Sequence, residues 1–339
     1  MTLRPRQNMS KFTTMTLREI QSRILGLVLE KTMSRFKLPH LRSLWMLVAA
    51  LGFAIMGALV KVGSPKFGSA ELVFYRSAFG LLFIYAYIFA KKLPLKTPYV
   101  VKQMSRAVVG LASLVLFFYA IAHLPLATAV TLNYTSALFL AIFMPFFLHE
   151  KPKTILYGTV LLGFIGVVLL LKPVLNQRDA LAGTLGLLSG MGAALAYIHV
   201  KQLGKLNEPD WRTVFYFTFV STIASGAWML TQHFTPLNWH DMPALLGLGA
   251  SATIAQLAMT RAYRTGHTLL VASLAYTTVI FASLFGVIVW RESLSLSEYF
   301  AMGLIIWLYA VQGWMSQFFM SKLFNQQSLP WLESARSGR

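Results

Sequence analysis

Ten apolar runs separated by short polar breaks make up most of this chain: 43–62, 70–90, 103–122, 126–148, 154–172, 180–201, 212–231, 243–261, 267–290 and 295–318. Each is close to the ~20 residues that a helix needs to cross a bilayer. Barrel strands would alternate apolar with polar positions and average about ten residues, so these runs predict helices. Many of the breaks are marked by a proline, at Pro65, Pro94, Pro98, Pro125, Pro152, Pro173 and Pro243, and several are only a few residues long. Connections that tight make sequential helices antiparallel neighbours.

The pattern is also written twice. A shift of 142 positions carries Tyr134 onto Tyr276, Thr135 onto Thr277, Phe139 onto Phe281, Phe143 onto Phe285 and Glu150 onto Glu292 without a gap. Apolar composition alone could produce the phenylalanine pairs, but not readily a Tyr-Thr at one end and a Glu at the other. A second block, Val73-Phe74-Tyr75-Arg76-Ser77, matches Val214-Phe215-Tyr216-Phe217-Thr218 at a shift of 141. With five crossings per copy, the second copy enters from the opposite face. The fold class expected is therefore an all-α integral membrane protein of ten transmembrane helices, a 5+5 inverted-topology repeat. The expected units are a basic leader over 1–42, a first repeat over 43–173, a second over 180–318 and a tail over 319–339.

Composition agrees with a bilayer: 56% of residues are apolar and 12% charged, against roughly a quarter charged in soluble domains. The net charge of +19 would point to nucleic acid in a soluble protein. Here the Lys and Arg residues sort by side instead: 24 fall on one set of alternate connectors, Arg106 among them, five on the other, and Arg76 lies within a run. The excess marks the cytoplasmic side, which puts both termini in the cytoplasm and removes the need for a nucleic-acid partner. In the leader, Leu17, Ile20, Ile24, Leu27 and Val28 have the spacing of an interfacial amphipathic helix, with an unstructured leader as the alternative. No cleaved signal is expected.

Several stretches resemble the EamA-type ten-helix members of the drug/metabolite transporter superfamily. They are ELVFYRS at 71–77, YAIAHLPLATAVTLNYTSALF at 119–139, LHEKP at 148–152, GFIGVVLLLKP at 163–173, QLAMTRAYRTG at 256–266 and RESLS at 291–295. The resemblance spans roughly residues 43–318. It implies two EamA repeats, carriage of small metabolites, often amino acids or related solutes and frequently by export, and a central cavity lined largely by the third, fourth, eighth and ninth helices. The expected partners are a small-molecule solute and the lipid bilayer, and the expected location is a bacterial inner membrane.

An ionisable group inside hydrocarbon is costly, so each is a functional candidate. Arg76 lies about six residues into its run, roughly 9 Å of helix rise from the end. It can hold an anionic group of a solute, or it can lock to a neighbouring helix or snorkel to headgroups. Asn133, Tyr134 and Thr135, with Tyr276 and Thr277 in the other copy, are hydrogen-bonding groups that must find partners in lipid, either each other or a solute. Tyr119 and Gln256 are further candidates. Gly186, Gly190 and Ala194, like Gly163 and Gly166, have the spacing of close helix contacts, and Pro145 is expected to kink the fourth run.

Enzyme chemistry finds few materials. There is no cysteine, the seven histidines lie in the leader or near run ends without metal-site spacing, and Glu71 is the only acid even shallowly inside a run. No catalytic residue, metal or cofactor is expected. The alternatives to a secondary transporter are a membrane-embedded enzyme of lipid metabolism and a non-transporting scaffold. A proton relay needs a mid-membrane acid or histidine, so exchange or downhill export is favoured over coupling through Glu71.

Overall fold

A computed structural model describes residues 42–307 apart from 125, 151, 153, 172–179, 232–233 and 292–294. The expected leader helix and the end of the last run, 308–318, lie outside the described residues. Among the described residues the regular structure is all helical. In order the helices are α1 (Trp45–Gly63), α2 (Ser69–Ala90), α3 (Val100–His123), α4 (Leu126–Tyr134), α5 (Ser136–Phe147), α6 (Thr154–Leu171), α7 (Ala180–Lys205) and α8 (Asp210–Met229). A short 3-10 turn at Trp239–Asp241 leads into α9 (Met242–Thr265), followed by α10 (Thr268–Ala275), α11 (Thr277–Trp290) and α12 (Leu296–Trp307).

Seven spans are long and apolar enough to cross a membrane: α1, α2, α3, α4 with α5, α7, α9 and α10 with α11. Helices α6 and α12 are shorter apolar helices within the described residues. Helix α8 matches a span in length but carries Thr213, Thr218, Ser221, Thr222 and Ser225 along it. The protein is a multi-pass membrane protein.

Its side chains are sorted as lipid requires. Phe89, Phe146 and Ile288 are each more than 70% exposed, an arrangement that would aggregate in water and costs nothing against acyl chains. The interior is filled by small residues instead, with Ala49, Ala50, Ala107, Ala194, Ala255, Ala262 and Ala272 fully buried. Lipid supplies no hydrophobic force between helices, so close backbone approach and van der Waals contact hold them. A methyl group built on Gly52 would stand 2.9 Å from the Ala255 Cβ, and one on Gly190 would stand 2.7 Å from the Leu132 carbonyl oxygen. Gly186 meets Leu132 and Gly166 meets Ile305 equally closely, as the small-residue spacing predicts.

Packing repeats between the halves. Helix α1 lies on α9 as α7 lies on α3; α2 lies on α9 as α8 lies on α3; α1 meets α10 and α11 as α7 meets α4 and α5; and α2 pairs with α8. The matching reaches single residues, since Gly52 faces Ala255 while Gly192 faces Ser113, 142 positions before Ala255. Even the backbone conformation repeats: His149 (φ 54°) after α5 and Arg291 (φ 55°) after α11, also 142 apart, are both left-handed.

Contacts at the helix ends sort into two rims. One holds Arg261 over Trp45 at 4.6 Å, Lys205 with Glu150 at 3.1 Å, and Thr97 with Glu208 at 2.8 Å. The other holds Lys61 over Trp290 at 4.3 Å, and the Lys66–Asp241 and Glu71–Thr235 contacts. The alternating sides assigned by charge bring the same groups together.

Candidate functional site

The duplicated Tyr-Thr pair is where two spans break. Helix α4 stops at Tyr134 and α5 resumes at Ser136; α10 stops at Ala275 and α11 resumes at Thr277. Both interruptions are tight 3-10-like turns: Thr135 N–H donates to Leu132 O (3.2 Å) and Tyr276 N–H to Ser273 O (3.0 Å). In each copy the threonine hydroxyl donates to the carbonyl three residues back, Thr135 to Leu132 (2.5 Å) and Thr277 to Leu274 (2.6 Å). A hydroxyl that binds its own helix competes with the regular ladder and bends it. Pro145 is not the break: α5 runs through it, and the interruption lies ten residues earlier.

These breaks bring the two copies face to face. The rings of Tyr134 and Tyr276 meet edge to face with centroids 5.9 Å apart. The Tyr134 hydroxyl pairs with the Thr278 side chain, and that of Tyr276, whose residue is fully buried, points at Val160 O at 3.4 Å. Equivalent residues touch only beside the axis that relates the copies, so this pair marks that axis. Close by, Tyr197 of α7 stacks on Tyr263 of α9 at 4.5 Å.

The remaining candidates divide. Asn133 donates through Nδ2 to Ser189 Oγ (3.1 Å), and Ser113 Oγ donates to Ser189 O (2.7 Å), a polar seam joining α3, α4 and α7. Tyr119 is 36% exposed and stacks on His123 at 4.1 Å. Arg76 and Gln256 come together: with Ser77, Phe217, Thr218, Ala252 and Thr253 they line a narrow cleft between α2, α8 and α9, with an internal volume of about 10 Å³. Phe217 occupies the repeat position of Arg76, so ring and guanidinium share one pocket.

A second arginine belongs with them. Arg106, grouped by charge with the cytoplasmic connectors, is 2% exposed and has its guanidinium 4.2 Å over the Phe217 ring. Its side chain runs over Gly110, one turn further into α3, where a methyl group would stand 2.7 Å from Nη1. Helical side chains ordinarily lean toward the N-terminus, which here would take Arg106 out to the rim. The only sequence signal was the offset itself, an arginine six residues inside a helix followed by a glycine at the next turn.

Acids cluster at the rims. Glu71, 2% exposed, accepts from Gly68 N (2.8 Å), Thr235 N (2.6 Å) and Thr235 Oγ1 (3.0 Å), which ties the start of α2 to the connector before α9. At the other rim Glu208 accepts from Thr97, Gln103 and Arg212, and Arg212 donates to Pro94 O (2.7 Å), which ties the start of α8 to the connector before α3. The two latches are repeat counterparts on opposite rims. His199, in α7, bonds Ser105 Oγ and Leu195 O (3.1 and 2.8 Å), and no metal-binding cluster occurs among the described residues.

The arrangement is a set of buried polar groups between two similar halves, and comparison with known proteins gives it a setting. A pseudopaline exporter of Pseudomonas aeruginosa is 32% identical over 245 residues, covering 72% of this chain and 86% of that protein. A riboflavin transporter of Vibrio cholerae is 26% identical, covering 66% of this chain and 76% of its own length. A crystal structure 18% identical in sequence superposes with a TM-score of 0.72 over 81% of this chain and 98% of its own, which extends the likeness to the fold. The model of the EamA-like transporter family matches twice, over residues 41–172 and 181–310. The chain therefore belongs to the EamA-like transporter family of the drug/metabolite transporter superfamily, and it is a transporter rather than an enzyme.

Proposed function

We propose that this protein moves a small polar metabolite, amino-acid-like or related, across a bacterial inner membrane by alternating access, as export or exchange. In this reading the chain crosses ten times as two inverted five-helix repeats, 43–173 and 180–318, with a cytoplasmic leader before them and a cytoplasmic tail after. The observation that carries it is the contact between Tyr134 and Tyr276. Two spans broken within one residue of the same repeat position, and touching where the copies meet, supply a pair of hinges around which one face can close while the other opens. The solute would sit between Arg76 and Gln256 on one side and the Tyr134–Tyr276 breaks with Thr135 and Thr277 on the other, with Asn133 and Tyr119 further along α4 and α3. The printed names of the relatives, which speak of a metabolite exporter and a vitamin transporter, support small solutes as cargo.

The two latches are the gates in this scheme. The chain has no cysteine of its own, so paired cysteines can test them cleanly. Lys66→Cys with Asp241→Cys spans the rim beside the Glu71–Thr235 latch, and Thr97→Cys with Glu208→Cys spans the other latch. Bridging either pair with a short bifunctional thiol reagent should stop flux in proteoliposomes, with the unbridged variants still active. Undiminished flux with both pairs bridged would end the alternating-access reading. Energy coupling is read as exchange or downhill flux, because Glu71 is fully engaged in its latch.

A further inference from the structure

Two arginines from opposite rims meet at Phe217, Arg106 over its ring and Arg76 beside it in the same cleft. Arg76 lies seven residues from the start of α2 and Arg106 six from the start of α3, depths of roughly 10 Å and 9 Å at 1.5 Å per residue. Arg76 borders the pocket that Phe217 lines, and Arg106 covers that ring and lies within electrostatic range of Arg76. Arg76 Nε and Arg106 Nε and Nη1 are buried with no hydrogen-bond partner among the described residues.

Among the described residues no acid answers them. The six acids among the described residues are engaged elsewhere: Glu71 with Thr235, Glu150 with Lys205, Glu208 with Arg212, Asp210 with Arg264, Asp241 with Lys66 and Glu298 with Ser295 N. An arginine stays charged wherever it is put, and each unpaired buried charge costs several kcal/mol. Two in one place are tolerated only where a counter-charge arrives. Of the neutral groups around them, Thr218 Oγ1 donates to Val214 O (2.9 Å) and Thr253 Oγ1 to Gly249 O (2.7 Å), while Ser77 and Gln256 stand beside the guanidinium in the same cleft. The charged groups that the site offers are the two guanidiniums, whose planar fork fits carboxylate and phosphate oxygens.

We infer that Arg76 and Arg106 form one binding site for a solute carrying two acid groups, one to each guanidinium, so that the cargo is a dianion of the dicarboxylate or phosphorylated-acid class. This rests on the transporter reading and narrows its substrate. It also gives Arg106 a solute-contacting role and makes the Phe217 ring the wall that holds the second guanidinium in place.

The test loads proteoliposomes of the full-length protein, made in phosphatidylcholine, with a bacterial small-metabolite extract and identifies the solutes released. Those released through the protein should carry two or more acid groups. Arg106→Gln and Arg76→Gln should each lower their flux by about thirtyfold or more, the effect of stranding one partner of a buried charge pair. Release of only neutral, cationic or singly charged solutes would overturn the inference and leave the transporter standing. Release of nothing above protein-free vesicles would remove both. Because the released solutes are read from the unaltered protein, a variant that fails to fold does not decide the matter. Adding phosphatidylglycerol to the vesicles should leave the flux unchanged; inhibition by that lipid would mean that a headgroup occupies the arginines and would also overturn the inference.

Discussion

Gly190 faces the Leu132 carbonyl with no space for another atom, so Gly190→Ala must part α7 from α4. The expected cost is about 1–3 kcal/mol, readable as a lower unfolding midpoint in detergent. Glu71→Gln leaves one acceptor oxygen where two now take three hydrogen bonds, and should cost about 1–3 kcal/mol of stability. Its transport should keep the pH dependence of the parent; loss of flux together with that dependence would restore Glu71 as a coupling group. At this scale the sequence was a partial guide. Arg76 and Gln256 stood out because polar groups inside apolar runs are conspicuous, and they do line one pocket. Arg106 was hidden because it sits where a run ends, and a residue count cannot tell a side chain that turns outward from one that turns in over a glycine.

Spans were easier to read than their internal shape. The apolar runs match the described helices to within a few residues, because mean hydropathy over a bilayer's thickness is a strong and simple signal. The interruptions at Thr135 and Tyr276 were not legible, since a 3-10 turn keeps helical dihedrals and changes only which carbonyl is bonded. Pro145 drew attention by its chemistry, yet it lies near the end of α5, where there is little helix left to bend. The left-handed His149 and Arg291 lead to an element-scale expectation. Glycine adopts that conformation without strain, so His149→Gly and Arg291→Gly should each stabilise the protein by up to about 1 kcal/mol, seen as a raised unfolding midpoint.

For the molecule as a whole, the charge count and the two rims agree on which helix ends lie together, and the orientation in the membrane follows by proposal from the excess of Lys and Arg. A single cysteine at Lys92 should be shielded from an impermeant thiol reagent added to intact cells, and one at Val62 should react; the reverse would invert the topology. The all-helical membrane fold and the repeat were legible because long apolar runs and a duplicated register are written in the sequence, while the count of ten crossings stays a proposal. The arginine site was not, because it is assembled from α2, α3, α8 and α9, and no single stretch records their meeting. If the halves were identical, the two resting shapes of the proposed mechanism would be related by a half-turn and equally populated. They differ where it counts, with a cation at Arg76 and a ring at Phe217 in corresponding seats. In the proposed mechanism such mismatched seats bias the unloaded carrier toward one compartment, and Phe217→Arg with Arg76→Phe should reverse that bias.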